Sequence, residues 1–203
     1  MTEDDARARV LELVGPGGAA ALEKMVGLVL VENRSQNLIA PASEGAIWAR
    51  HVLDSVQLIG LVADGWKTWL DIGTGGGFPG LALATVTAGQ FTLVEPRKRR
   101  ADFLTRAATS LGLSNVCVVA AKVESVAMAA DVISARAVAS LEKLLPAAQH
   151  CATTRTAWIL PRGQIGDDEL DRLRMNWKGM FHVEPSATDP RSAIVVATGV
   201  APR

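Results

Sequence analysis

From residue 65 onward, short β-branched apolar runs alternate with longer stretches of helical period, and this alternation restricts the fold more than any other feature. The runs are Thr68–Ile72, Phe91–Val94, Val116–Ala120, Val132–Ser134 and Ala157–Leu160. Between them lie helical patterns at Pro79–Ala88, Arg97–Leu111, a weaker one after the third run, Leu141–Cys151 and Asp167–Trp177. Continuously apolar strands separated by helices form a parallel sheet covered on both faces. The last two runs, Phe181–Glu184 and Ala193–Thr198, have no helix between them, which predicts an antiparallel hairpin at one edge. Residues 4–61 read differently. Apolar stripes at Val10, Leu11 and Val14, at Leu22, Met25, Val26, Val29 and Leu30, and at Ile47, Val52, Val56 and Ile59 are all helical, with a break expected at Gly15–Gly18. Residues 1–64 are therefore expected to pack as a helical cap on an α/β domain of residues 65–203, in one structural unit.

Composition removes several classes of function. Half the chain is apolar (49%) and 21% is charged, as in a folded soluble domain. Its 21 basic and 21 acidic residues cancel, so contact with nucleic acid must rely on a local patch. Cys117 and Cys151 stand far apart in apolar surroundings and are expected to be buried, reduced thiols; no metal site is expected. The first ten residues are charged, unlike a signal peptide, and no run reaches the length of a membrane span. A cytoplasmic monomer with no membrane contact is expected.

The segment from Trp69 to Gly80 is the richest in chemistry. An apolar strand ends at Asp71, and a turn dense in glycine leads into a helix with Pro79 in its first turn. Gly73, Gly75 and Gly77 allow a tight turn that brings a ligand against main-chain atoms. Residues 75–80 also match G-x-G-x-x-G, the dinucleotide fingerprint. Asp71 opposes that reading, because a carboxylate beside the loop repels a pyrophosphate. S-adenosylmethionine instead carries ammonium and sulfonium charges, and the attraction is about 1 kcal/mol in water and several-fold more near a protein surface. The D-x-G-x-G-x-G arrangement resembles the first motif of class I S-adenosylmethionine-dependent methyltransferases, whose Rossmann-like, mostly parallel sheet has seven strands. Glu95, ending the second strand, can accept both ribose hydroxyls or supply charge at the next helix N-terminus.

Several segments together resemble one family. They are Asn37-Leu38, the R-H-x-L-D-S run Arg50–Ser55, the loop Asp71–Gly80, Lys98–Leu104, and the I-S-x-R-A element Ile133–Ala137 followed by Ala139–Leu141. In order and spacing, from about residue 33 to 164, they are similar to the ribosomal RNA small-subunit methyltransferase G family. The resemblance implies methylation of a guanine at N7 in 16S rRNA, with the small ribosomal subunit as partner. Carried over by position, it implies cofactor contacts at Gly73, Phe78, Val123, Glu124 and Arg136. This chain departs from the family at Ile39-Ala40-Pro41, where a Thr is usual after Asn-Leu. It departs again where the family's Leu-Lys-Gly appears as Leu160-Pro161-Arg162-Gly163-Gln164, with Arg162 keeping the positive charge and Pro161 altering the strand end.

The chemistry agrees with that implication. Guanine N7 offers a lone pair and has no proton to lose, so alignment and desolvation matter more than a general base. Arg136, at the tip of the fourth strand, can orient a guanine O6 or a phosphate, or form an ion pair across the sheet end. Arg50 and Asp54 have the spacing of a helical ion pair beside a packed His51, or close over the methionine end of the cofactor. Arg97, Lys98, Arg99 and Arg100 crowd a helix start against its dipole, which favours phosphate contact over a purely structural role, and Arg162 extends the same expectation. Three other readings stay open: a class I methyltransferase for another RNA or a small acceptor, a nicotinamide-dependent oxidoreductase, and a non-catalytic RNA or ribosome-assembly factor.

Overall fold

The computed structural model describes residues 1–203 apart from the side chain of Asp167. Seven strands form one sheet in the order β3-β2-β1-β4-β5-β7-β6. They are β1 (Thr68–Ile72), β2 (Gln90–Val94), β3 (Val116–Val119), β4 (Ala130–Ala135), β5 (Ala152–Arg162), β6 (Trp177–Pro185) and β7 (Ala193–Pro202). The first five run parallel, and β7 is antiparallel to both β5 and β6, so the expected edge hairpin is present. Strand order reverses between β1 and β4, and a crevice opens outside the carboxyl ends of strands at such a point.

Two apolar clusters cover the sheet. On one face Trp69, Phe91 and Leu93 meet residues of the N-terminal helices, among them Leu22, Met25, Val29 and Leu53. On the other, Leu70, Ile133 and Trp158 meet α5 (Leu141–Ala148) and α6 (Asp167–Asn176) through Leu144, Leu145 and Leu173. Trp66 stands edge-on to Trp69 and to Phe91, with ring centroids 5.2 and 5.8 Å apart, closing the bottom of β1.

Differences from the sequence reading have local causes. Helix α1 (Glu3–Asn33) leaves helical geometry only at Gly15 (φ +68°), and Pro16 restarts it at once, so Gly17 and Gly18 are helical. Because the break is so short, α1 is long and apolar enough to cross a bilayer by length and composition. Its residues Leu22, Met25, Val26 and Val29 pack instead into the core. The weak helix expected after β3 is a single turn, Val123–Ser125. Cys117 is exposed on β3, an edge strand, while Cys151 is buried as expected. Pro161 is accommodated within β5 because pairing with β4 stops at Ile159.

Candidate active site

The crevice at the carboxyl end of the sheet is a cleft of about 1100 Å³. Its floor is the turn Gly73–Gly76 with Phe78, and one wall holds Arg50, His51, Asp54 and Arg136. The opposite wall comes from Pro161–Gln164 at the end of β5 and from the turn Thr188–Ser192 between β6 and β7. Gly73, Gly75, Phe78, Arg100, Arg136 and Arg162, all singled out in the sequence, are thus brought to one place. Val123 and Glu124 are not among its lining: Val123 packs in the core of the other face and Glu124 is exposed.

Main-chain geometry of the glycine turn decides what it can hold. The amides of Gly73 and Thr74 donate to Val94 O, and Gly77 and Phe78 donate to Thr74 O. Gly75 donates to Glu95 Oε2 at 2.9 Å, Gly80 to Asp71 Oδ2 at 3.0 Å, and Leu81 to Gly77 O. Pro79 has no N–H, so among the described residues only Gly76 retains a free amide between positions 73 and 81. A pyrophosphate is gripped by several free N–H groups at such a turn. This turn has used its own.

Asp71 sits differently from the sequence reading. Its residue is fully buried, its carboxylate accepts from Ser134 Oγ at 2.6 Å and from Gly80 N, and it does not line the cleft. Burial pushes its pKa up to about 6, against the lowering effect of Ser134, Thr74, the Gly80 amide and Arg136. The electrostatic choice expected of Asp71 beside the loop is therefore replaced by a structural one. Asp71 ties the start of α3 (Gly80–Val86) to β1, and a side chain at Gly80 would collide with it at 2.6 Å. Gly77 likewise turns away from the cleft, toward Met25 of α1. Glu95 lies under the turn, its second oxygen accepting from Arg97 N at 2.9 Å.

Arg136 follows β4 and donates to Asp54 Oδ2 and Arg50 O, each at 3.0 Å, and to His51 Nδ1 at 2.8 Å. Asp54 pairs with Arg136, not with Arg50 as the i,i+4 spacing suggests. The reason is that Trp48–Leu53, which leads into α2 (Asp54–Val56), is π-helical; this changes the angular offset between residues and turns the Arg50 carbonyl toward Arg136. Burial, Arg136 and Arg50 together hold the His51 pKa down to about 3.

The basic run divides. Arg99 donates to Ser35 O at 2.9 Å and Arg100 to Asn37 O at 2.6 Å, just beyond the C-terminus of α1. Arg106 pairs with Glu32 at 2.9 Å. These cations dock α1 onto α4 (Lys98–Ser110), a structural role the sequence reading underrated. Arg97 and Lys98 have no such partner among the described residues, and neither lines the cleft. Arg191, which sequence reasoning passed over, reaches the cleft on the β6–β7 turn while Asp189 holds it at 3.1 and 3.2 Å. Asp189-Pro190 marks a turn in the sequence, but only the fold reveals that this turn borders the cleft. Arg50, Arg100, Arg136, Arg162 and Arg191 thus converge from five separate segments of a chain with no net charge.

Known proteins resemble this chain in sequence and in fold. The family model for rRNA small subunit methyltransferase G matches residues 19–187. A protein of Rhizorhabdus wittichii with the name ribosomal RNA small subunit methyltransferase G is 44% identical over all of this chain and 95% of its own length. Its namesake in Erythrobacter litoralis is 41% identical over 98% of this chain and 97% of its own. In fold, the crystal structure of an S-adenosylmethionine-dependent methyltransferase from Aquifex aeolicus aligns with a TM-score of 0.61 at 17% identity, covering 83% of this chain and 98% of that one. The chain belongs to the ribosomal RNA small subunit methyltransferase G family.

Proposed function

We propose that this protein transfers the methyl group of S-adenosylmethionine to N7 of a guanine in 16S rRNA, acting in the cytoplasm on the small ribosomal subunit. The observation that carries the reading is the glycine turn whose amides, Gly76 apart, are satisfied within the protein, facing Arg136 across the cleft. A turn of that kind suits an adenosyl group laid against its main chain and disfavours a dinucleotide pyrophosphate. The residues present fit S-adenosylmethionine. Gly73, Gly75 and Phe78 would lie along it, and Glu95, buried under the turn and outside the cleft lining but with an oxygen lone pair left on each side of the carboxylate, would take the ribose where the ligand reaches the tip of β2. Arg136 would face the methionine end or the incoming base, and Val123 and Glu124, outside the cleft lining, would meet the adenine only at the edge where the ligand extends past the end of β3.

When bound, S-adenosylmethionine supplies a methyl group on a positively charged sulfur. The chain's task is to align an in-plane nitrogen lone pair with it and to keep water away. No group has to accept a proton, and the wall of the cleft offers none ready to do so: Asp54 is paired with Arg136, and the low pKa of His51 marks a weak base. The five arginines around the cleft match the phosphates flanking a presented base.

Labelled methyl transfer to small subunits that lack the modification tests this reading, with chemical cleavage at N7-methylguanine to map the product. Label at one guanine N7 is expected, with Arg136→Ala reducing it by at least tenfold. Label on an exocyclic amine or on ribosomal protein, or no transfer at all, overturns it.

A further inference from the structure

The proton positions around His51 follow from its neighbours alone. A guanidinium only donates, so His51 Nδ1, 2.8 Å from Arg136 Nη2, must be the bare nitrogen. The ring proton then sits on Nε2, which lies 3.0 Å from Ser43 Oγ. Ser43 spends its own hydroxyl proton on Ala40 O at 2.8 Å, so it accepts from the ring. One continuous chain of donors thus runs from Arg136 through His51 and Ser43 to Ala40, which is itself part of the cleft lining. The imidazole is further fixed by Phe78, with ring centroids 5.1 Å apart, and Phe78 also lies 5.7 Å below the Arg136 guanidinium.

This chain uses three of the five N–H groups of Arg136, on Arg50 O, Asp54 and His51. Two remain without a partner among the described residues, on a side chain that lines the cleft. We propose that His51 is a positioning residue: as a neutral acceptor it fixes the Arg136 guanidinium so that its two free N–H groups meet the bound reactants. His51 has no lone pair left for a proton, which separates this role from that of a general base. Its pKa, held down to about 3 by burial and by Arg136 and Arg50, keeps the ring in the neutral form the geometry requires. The inference rests on the reading of Arg136 given above as a group that touches the reactants.

Three variants at one position test it. In His51→Asn the amide oxygen falls near the place of Nδ1 and still accepts from Arg136. In His51→Gln the longer amide reaches toward Ser43 and leaves Arg136 without its acceptor. His51→Ala removes both contacts. Methyl transfer to small subunits should show kcat reduced about tenfold or more in the Ala and Gln variants, with KM for the subunit little changed. The Asn variant should recover most of that loss, and its pH profile should keep the wild-type acid limb. Equal losses in Asn and Gln, or a wild-type acid limb that vanishes in Asn, overturns the proposal. If His51→Ala fails to fold, the Asn–Gln contrast still decides. If the wild-type protein methylates no small subunit, the functional reading fails instead. The same order of variants in S-adenosylmethionine affinity, measured by calorimetry, then supports the positioning role, and equal affinities overturn it.

Discussion

Ser134 Oγ and Asp71 Oδ1 lie 2.6 Å apart where β4 meets β1, both residues wholly buried, with Trp69 Nε1 donating to the same hydroxyl at 2.8 Å. Asp71 passes the connection on to the Gly80 amide, so a line of buried polar atoms links two central strands to the first turn of α3. A charge in that position is costly, which is why its pKa rises from 3.8 to about 6.

Asp71 should therefore leave a mark on stability against pH. Between pH 3.8 and about 6 the folded state keeps a proton that the unfolded chain has lost. The contribution is fully present below 3.8 and disappears as the pH rises through 6. Other carboxylates, such as Asp131, are shifted downward and slope the opposite way, so the variant must be compared with wild type. Relative to Asp71→Asn, the unfolding free energy of wild type in denaturant should fall steadily across this window, by at most about 1.4 kcal/mol per pH unit. Parallel curves for the two proteins would show that Asp71 is ionised throughout.

Gly73 gives a steric test of the cofactor path. Its φ is +69°, and a Cβ there would stand 2.5 Å from Val138 Cγ2. Val138 follows Ala137, a non-glycine residue at φ +56°, on the segment that crosses the turn after β4. Left-handed backbone costs an L-residue about 1–2 kcal/mol, and the contact adds to that. Gly73→Ala should weaken S-adenosylmethionine binding at least tenfold in calorimetry while circular dichroism stays unchanged. Adding Val138→Ala should restore part of the affinity by relieving the contact alone. Wild-type affinity in the single variant would place the ligand away from this turn.

Much of this arrangement is readable in the sequence, and the exceptions have physical reasons. Strand β1 can be read to the residue because Thr68–Ile72 is apolar and bounded by turn residues. Strand β5 begins at Ala152 rather than Ala157 because its first residues are exposed, so hydrophobicity does not report them. Gly73, Phe78 and Arg136 reach the cleft because strand–turn topology puts strand tips there. Whether a carboxylate points into that cleft or under it depends on a partner on another strand, Ser134 for Asp71. The π-helical turn that redirects Arg50 and Asp54 leaves no trace in residue spacing, which assumes an α-helix.

Stability and RNA contact should separate along the basic run. Arg99 and Arg100 hold the carbonyls of Ser35 and Asn37, so Arg99→Ala and Arg100→Ala should each destabilise by about 0.5–1.5 kcal/mol in denaturant. Lys98 is exposed and makes no such contact. Lys98→Glu should leave stability unchanged within about 0.5 kcal/mol. If the rRNA backbone passes over the start of α4, it should also weaken small-subunit binding and reduce the slope of log K against log salt by about one contact. An unchanged slope there, with a reduced slope in Arg162→Gln, would confine the phosphates to the cleft.

Glu95 bears on the choice of ligand itself. Its carboxylate accepts from the Gly75 and Arg97 amides, both at 2.9 Å, and so shapes the turn from beneath. Each oxygen keeps capacity for one more donor, which suits a pair of vicinal hydroxyls. Glu95→Gln puts an NH2 group against one of those amides and removes the charge from the other bond. Hydrogen bonds to a charged acceptor contribute about 1.5–3 kcal/mol, so S-adenosylmethionine affinity should fall at least tenfold. Thermal-shift measurements should show stabilisation of the wild type by S-adenosylmethionine, a smaller shift in the variant, and none with NAD in either. A shift with NAD that survives in Glu95→Gln would mean that the turn grips a phosphate after all, against its count of free amides.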